Sequence, residues 1–165
     1  VFVVGKTGDE LGGSRFYAML GAIGNNVPKV DAAANKKAYE ALSKAIDAGL
    51  VASCHDCSDG GLAVALAEMA FAGGLGMDID LIRVPAERLN KDAQVLFSES
   101  AGRFVVTVAP ENEKAFRQAM EGVDHESVGT VRQDDRFLVR GLKGTRVVDT
   151  ILGALKESWQ YPLRW

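Results

Sequence analysis

Three short segments carry the residues whose types and spacing could do chemistry. The first is Gly5–Ser14, GKTGDELGGS, a glycine-rich turn between an apolar run and an apolar-periodic one. Such a turn can aim backbone N–H groups and a helix dipole at a phosphate. It is not a Walker A loop, because the order G-x-x-x-x-G-K-[ST] is absent. An ordinary tight turn with a helix cap is the competing reading. The second is Cys54–Leu62, CHDCSDGGL. His55, Asp56, Ser58 and Asp59 crowd beside Gly60 and Gly61 at the start of an apolar helix, where exposed N–H groups favour an anion and nearby carboxylates could hold a Mg²⁺ that bridges to it. A simple cap needs fewer polar residues than these. The third is Phe97–Arg103, FSESAGR, in which Ser98, Glu99 and Ser100 either face a cleft or form a polar turn.

Cys54 and Cys57 are the only cysteines. Four-ligand zinc would need two more ligands, and only His55 and the distant His125 remain besides carboxylates, so the pair is read as two buried, reduced side chains. Arg103, Arg132, Arg136, Arg140, Lys143 and Arg146 are read as solvated residues protecting strand edges.

The elements that must position these segments follow from periodicity. Val1–Gly5 predicts a strand, and Ser14 an N-cap for a short helix carrying Phe16, Tyr17, Met19 and Leu20. Asp31 opens a longer helix to about Ala48, with Ala38, Ala41, Leu42, Ala45 and Ile46 on one side, stopped by Gly49. Leu50–Cys54 predicts a short buried strand, 55–61 a loop, and Leu62–Phe71 a helix whose only charge is Glu68. Gly76–Leu81 alternates like a strand, Pro85–Phe97 is irregular to helical, and Arg103–Val108 is a strand. Pro110 starts an amphipathic helix over Glu111–Glu121. Ser127–Val131, Phe137–Arg140 and Thr145–Val148 are the closing strands, and a last helix covers Asp149–Trp159. Three strands without intervening helices argue against a doubly wound parallel sheet. The expected fold class is α+β, a mixed sheet with helices packed on both faces in α/β/α layers.

The chain has 165 residues, 47% of them hydrophobic and 25% charged, which suits one soluble domain with a sizeable core. The net charge of −3 and pI near 5.4 supply no field that would draw a polyanion, so nucleic acid is not an expected partner. No apolar run is long enough to span a membrane, and the first residues, VFVVGKTGDELGGS, lack the charged n-region and long apolar stretch of a signal peptide, so a cytoplasmic location is expected. Opening on Val1 inside an apolar run suggests a piece of a longer polypeptide. Eleven of the 18 glycines fall within 5–24 and 60–76, which places them in loops of a domain rather than in a linker.

Taken in order, Glu10-Leu11-Gly12-Gly13-Ser14, His55-Asp56-x-Ser58-Asp59-Gly60-Gly61-Leu62-Ala63, and Leu96-Phe97-Ser98-Glu99-Ser100 followed by Gly102-Arg103-Phe104 resemble the C-terminal domain of the aminoimidazole ribonucleotide synthetase-related superfamily. The likeness extends from the opening strand to Trp159. Within the superfamily it leans to the ATP- and glutamine-dependent, amidine-forming ligases of purine synthesis. Selenophosphate synthetase and thiamine-phosphate kinase, whose glycine motifs differ, come behind. The resemblance implies a partly ferredoxin-like fold that closes a cleft against N-terminal domains of the same enzyme. It also implies a glutaminase domain or subunit as partner, a ribonucleotide substrate, and ATP/ADP with Mg²⁺ as cofactors. Carried over by motif, it assigns Gly12, Gly13, Ser14, His55, Ser58, Gly60, Gly61 and Ser100 to phosphate or nucleotide binding, and Asp56 and Glu99 to the metal. A non-catalytic assembly role for the same loops is the alternative, and the isolated piece is expected to be inactive.

Overall fold

Alternation in the first residues sets the architecture. In the computed structural model, which describes residues 1–164, strand β1 (Phe2–Val4) is buried on both faces. Val3 enters one hydrophobic cluster, while Phe2 and Val4 enter another. β1 is flanked by β4 (Phe104–Thr107) and β5 (His125–Ser127), and β2 (Ser53–Asp56) pairs with β4, giving the order β2-β4-β1-β5 with every pairing antiparallel. Helix α2 (Ala32–Asp47) joins β1 to β2 and α5 (Glu113–Ala119) joins β4 to β5. This is the βαββαβ order of a ferredoxin-like unit.

Helices α2 and α5 cover the face of Phe2, Val4 and Val106. Ala38, Leu42 and Ala45, spaced to share one helix side, meet Phe116 and Met120 there. The rings of Phe2 and Phe116 pack edge-on with centroids 5.0 Å apart. Against the other face lies α3 (Gly61–Gly73), whose residues Leu62, Ala65, Leu66 and Ala70 are buried with Val3 and Val105. The expected α/β/α layering thus belongs to this sheet.

The segments inserted after β2 and appended after β5 build a second sheet. Its order is β6-β3-β7-β8, from β3 (Gly76–Asp80), β6 (Gly129–Arg132), β7 (Arg136–Arg140) and β8 (Arg146–Ile151). β3 and β7 are parallel and the other pairs antiparallel, so the mixed character resides here. Met77, Ile79, Phe137 and Val139 join the same core as α3. The opposite face carries ion pairs, including Arg146–Asp149 at 2.7 Å and Arg140–Asp80 at 3.7 Å, with Arg136 also on Asp149. Arg132 pairs with Asp134, which it holds down to about pH 2. These arginines are at least partly exposed to solvent, as expected, and each is also paired with a carboxylate.

Among the boundaries that differ from expectation, two have a clear physical reason. The run predicted as one strand, Ser127–Val131, is divided between the sheets at Val128. This fully buried residue donates its N–H to Val1 O at 2.9 Å and accepts from Asp80 N at 2.8 Å. The last helix begins later than expected, as α6 (Leu152–Gln160), because Asp149–Ile151 remain paired with β7. Two short helices complete the chain: α1 (Arg15–Met19) and α4 (Asp92–Phe97). Among the described residues no helix is long and apolar enough to cross a membrane.

Candidate functional site

The three motif segments meet at one junction, and the Ser98–Arg103 turn is its centre. Ser98 Oγ accepts the Glu10 N–H at 3.1 Å and Ser100 Oγ accepts the Gly8 N–H at 3.0 Å. Between them, Glu99 N–H donates back to Glu10 O at 3.3 Å. Glu99 Oε1 takes the N–H of Arg15, the first residue of α1, at 3.0 Å, and that of Gly60, which precedes α3, at 2.8 Å. One carboxylate thereby satisfies orphan donors of two helix starts, where negative charge is also favoured.

Arg103, expected as a solvated strand residue, is 1% exposed. Its guanidinium donates to Ser100 O at 3.1 Å, to Thr7 Oγ1 at 2.9 Å and to Ser98 O. The five planar donors of arginine suit such a bridge between backbone carbonyls. Burial lowers the Arg103 pKa, with Glu10 and Glu99 among the charges that oppose the shift. Thr7, Ser14, Ser98, Ser100 and Arg103 are the buried polar side chains among the described residues, and all five belong to this junction. None of their buried polar atoms lacks a hydrogen-bond partner, as buried polar groups require.

The glycines serve the same closeness. Gly61 has φ +64°, and a Cβ there would stand 2.4 Å from Ser98 O. A Cβ at Gly12 would stand 2.6 Å from the Asn26 backbone. Their N–H groups are engaged inside the chain: Gly12 to Asn26 O at 2.8 Å, Gly13 to Ile23 O at 2.7 Å and Gly61 to Ser58 O at 2.9 Å. Ser14 caps α1 as expected, accepting from Tyr17 N at 3.2 Å and donating to Leu11 O at 2.7 Å. The rings of Phe16 and Phe97 stack with centroids 4.7 Å apart and add an apolar clamp between α1 and the end of α4.

The His55–Ser58 side is more open. His55 and Asp56 end β2 rather than lying in a loop, opposite Val105 and Phe104. His55 therefore sits on the α3 side of the sheet. Its Nε2 is 3.1 Å from Glu68 Oε2, and its Nδ1 is 2.6 Å from Asp56 O. Glu68 Oε1 accepts the Trp159 indole N–H at 2.7 Å, and the Trp159 ring lies 5.7 Å from that of Phe71. This link from α6 through α3 to the motif was missed from sequence, although the lone charge of an apolar helix was its available signal. Asp56 is exposed, and its bond from the Ser58 hydroxyl, ahead of the other causes, holds its carboxyl below the usual value. Asp59 pairs on the surface with Arg15 at 2.9 Å.

Both cysteines are free. Cys57 is buried, which pushes its thiol up to about 11, whereas Cys54 is exposed, contrary to the expectation of two buried side chains. Among the described residues no group of three or more His, Cys, Asp or Glu side chains could hold a metal ion. The described residues do not by themselves build a complete magnesium site.

The sequence model of the family "AIR synthase related protein, C-terminal domain" matches residues 1–141. The chain belongs to this family. Two curated relatives are named phosphoribosylformylglycinamidine synthase subunit PurL. The one from Caldanaerobacter subterraneus subsp. tengcongensis is 36% identical over 168 residues, covering 100% of this chain and 22% of the relative. The one from Thermococcus sibiricus is 45% identical over 112 residues, covering 68% of this chain and 16% of the relative. The chain thus spans about a fifth or less of these relatives' length. Thermotoga maritima PurL complexed with FGAR superposes with a TM-score of 0.81 at 23% identity, over 93% of this chain and 27% of that one. The same protein complexed with ATP gives 0.71 at 22% identity, over 93% and 24%. These structures share the fold of this family member.

Proposed function

We propose that this chain works as the C-terminal domain of a phosphoribosylformylglycinamidine synthase, the ATP- and glutamine-dependent ligase that converts formylglycinamide ribonucleotide to the amidine in purine synthesis. The carrying observation is the junction of its three motif loops, joined to the names of relatives that match across the chain. In such a reaction the substrate amide oxygen takes the γ-phosphoryl group of ATP, and ammonia then displaces phosphate. Positioning and charge neutralisation are what the protein must supply. The Ser98–Arg103 hub fixes the loops, Ser58 offers a hydroxyl at the open side, and His55, with both ring nitrogens engaged by Glu68 and Asp56 O, positions that edge. Asp56 is the exposed carboxylate that can meet an ion held mainly by other domains, whereas Glu99 is occupied by two backbone N–H groups.

A second reading is favoured by a separate observation. The N–H groups of Gly12, Gly13, Gly60 and Gly61 all have partners within the chain, which fits loops that serve assembly instead of holding phosphate. The deciding experiment supplies formylglycinamide ribonucleotide, ATP, Mg²⁺ and either glutamine or ammonia to the full-length polypeptide that carries this chain. ATP-dependent amidine formation that falls in the Ser58→Ala and His55→Asn variants, with folding intact, is expected. Turnover unchanged in both would favour assembly, and no turnover by the full-length protein would overturn the proposal. The 165 residues alone are expected to be inactive, with the N-terminal domains of the same enzyme and a glutaminase domain or subunit as partners in the cytoplasm.

A further inference from the structure

A cavity of about 540 Å³ opens between the first turns of α2, the end of β1 and the turns that precede β4 and β5. That volume lies within the usual range for small-ligand sites. Of the motif residues assigned to phosphate or metal, only Ser100 lines it. Gly5, Gly8, Gly102 and Gly122 contribute backbone to the wall: a Cβ at Gly102 would stand 2.3 Å from Asn35 Oδ1, and one at Gly122 would stand 2.4 Å from Lys37 Nζ. Asn35 and Lys37 are seated directly on Gly102 and Gly122, so any side chain there would displace them.

Both signs of charge line the cavity, but they are not equally free. Lys6 pairs with Glu87 at 2.5 Å and feels Asp124 beside it. Glu10 Oε1 accepts the Lys29 N–H at 2.9 Å, and Asp31 caps α2 through Ala33 and Ala34. Glu10, Asp31 and Glu87 thus each have a donor or a cation, whereas the Asp124 carboxylate, also in the lining, makes no ion pair among the described residues. Among the described residues the ammonium groups of Lys29 and Lys37 make no ion pair, and the Asn35 amide makes no hydrogen bond. What remains available to an anion is two cations and one amide. That donor set suits the several acceptor oxygens of a phosphate.

We propose that this cavity binds the phosphate group of a small phosphorylated metabolite through Lys29, Lys37 and Asn35. It is a site separate from the open side of the motif loops, and it holds whether or not the chain serves an amidine-forming ligase. Calorimetric titration with inorganic phosphate and with ribose 5-phosphate, at low salt, tests it. Binding of either is expected to weaken about tenfold or more in a Lys29→Gln/Lys37→Gln double variant. It should persist in Ser58→Ala. Both lysines are exposed, so the variant should fold, and an unchanged melting curve checks this. Tighter binding of ribose 5-phosphate than of phosphate supports a metabolite, whereas equal binding supports the phosphate group alone as the recognised part. Binding abolished by Ser58→Ala but retained in the lysine variant would overturn the cavity and leave the motif loops standing. No binding of either probe at millimolar concentration would overturn it as well.

Discussion

Glu99 and Asp56 are both motif carboxylates beside glycine-rich helix starts, yet they do opposite things. Glu99 lies inside the junction and holds the N–H groups of Arg15 and Gly60. Asp56 ends an edge strand, faces solvent and is touched by the Ser58 hydroxyl next door. One carboxylate binds the chain to itself and the other is left for something outside. Motif membership alone therefore does not mark a ligand-binding residue; the number of internal donors it already satisfies does.

Breaking the closed side should cost most. Arg103→Met leaves Thr7, Ser98 O and Ser100 O without their buried donor, and at roughly 1–3 kcal/mol for each unsatisfied group the expected loss is on the order of 3 kcal/mol or more. Denaturant unfolding measures it, and a loss near zero would mean that the hub is not what holds the loops. Gly61→Ala comes next, since it combines a left-handed backbone with a clash against Ser98 O. At least about 2 kcal/mol is expected from the same measurement. Glu99→Ala should follow at about 2 kcal/mol, because two helix-start N–H groups lose a charged acceptor.

The open side should respond differently. Trp159→Phe removes the indole donor to Glu68 while keeping the ring against Phe71. About 0.5–1 kcal/mol of stability is expected to go, together with a change in the His55 ring resonances that Phe71→Leu would not reproduce. Asp56→Asn should change stability by less than about 0.5 kcal/mol. The sign follows from its lowered pKa: the small stabilisation by the ionised carboxylate is present above the usual carboxylate range and fades as pH falls through the lowered value. Its expected effect is instead on Mg²⁺-dependent turnover of the full-length enzyme.

Much of the fold was legible because it follows local rules. Ser14 and Asp31 cap the helices they were expected to cap. The apolar spacing of Ala38, Leu42 and Ala45 gave the buried side of α2. The division of 125–132 between two sheets was not legible, because an apolar alternating run looks the same whichever partners it finds, and only the pairing of Val128 with both Val1 and Asp80 separates them. The three motifs could be located, but their internal wiring could not. Arg103 beside a strand looks like any edge arginine until Thr7 is brought to it from 96 residues away. The glycines likewise mark a need for close approach without saying what approaches; for Gly61 it is Ser98 O. Lys29, Asn35 and Lys37 lie close together in sequence, but nothing in that stretch shows that the turns at Gly102 and Gly122 close a cavity against it.

The most direct measurement pairs Glu99→Ala with Asp56→Asn in the full-length polypeptide, recording thermal unfolding and ATP-dependent amidine formation on each. Glu99→Ala is predicted to lower the melting temperature by several degrees. Asp56→Asn is predicted to leave melting unchanged while turnover falls about tenfold or more. The reverse pattern, with Asp56 governing stability and Glu99 governing turnover alone, would contradict the division between a closed structural hub and an open ligand-facing edge.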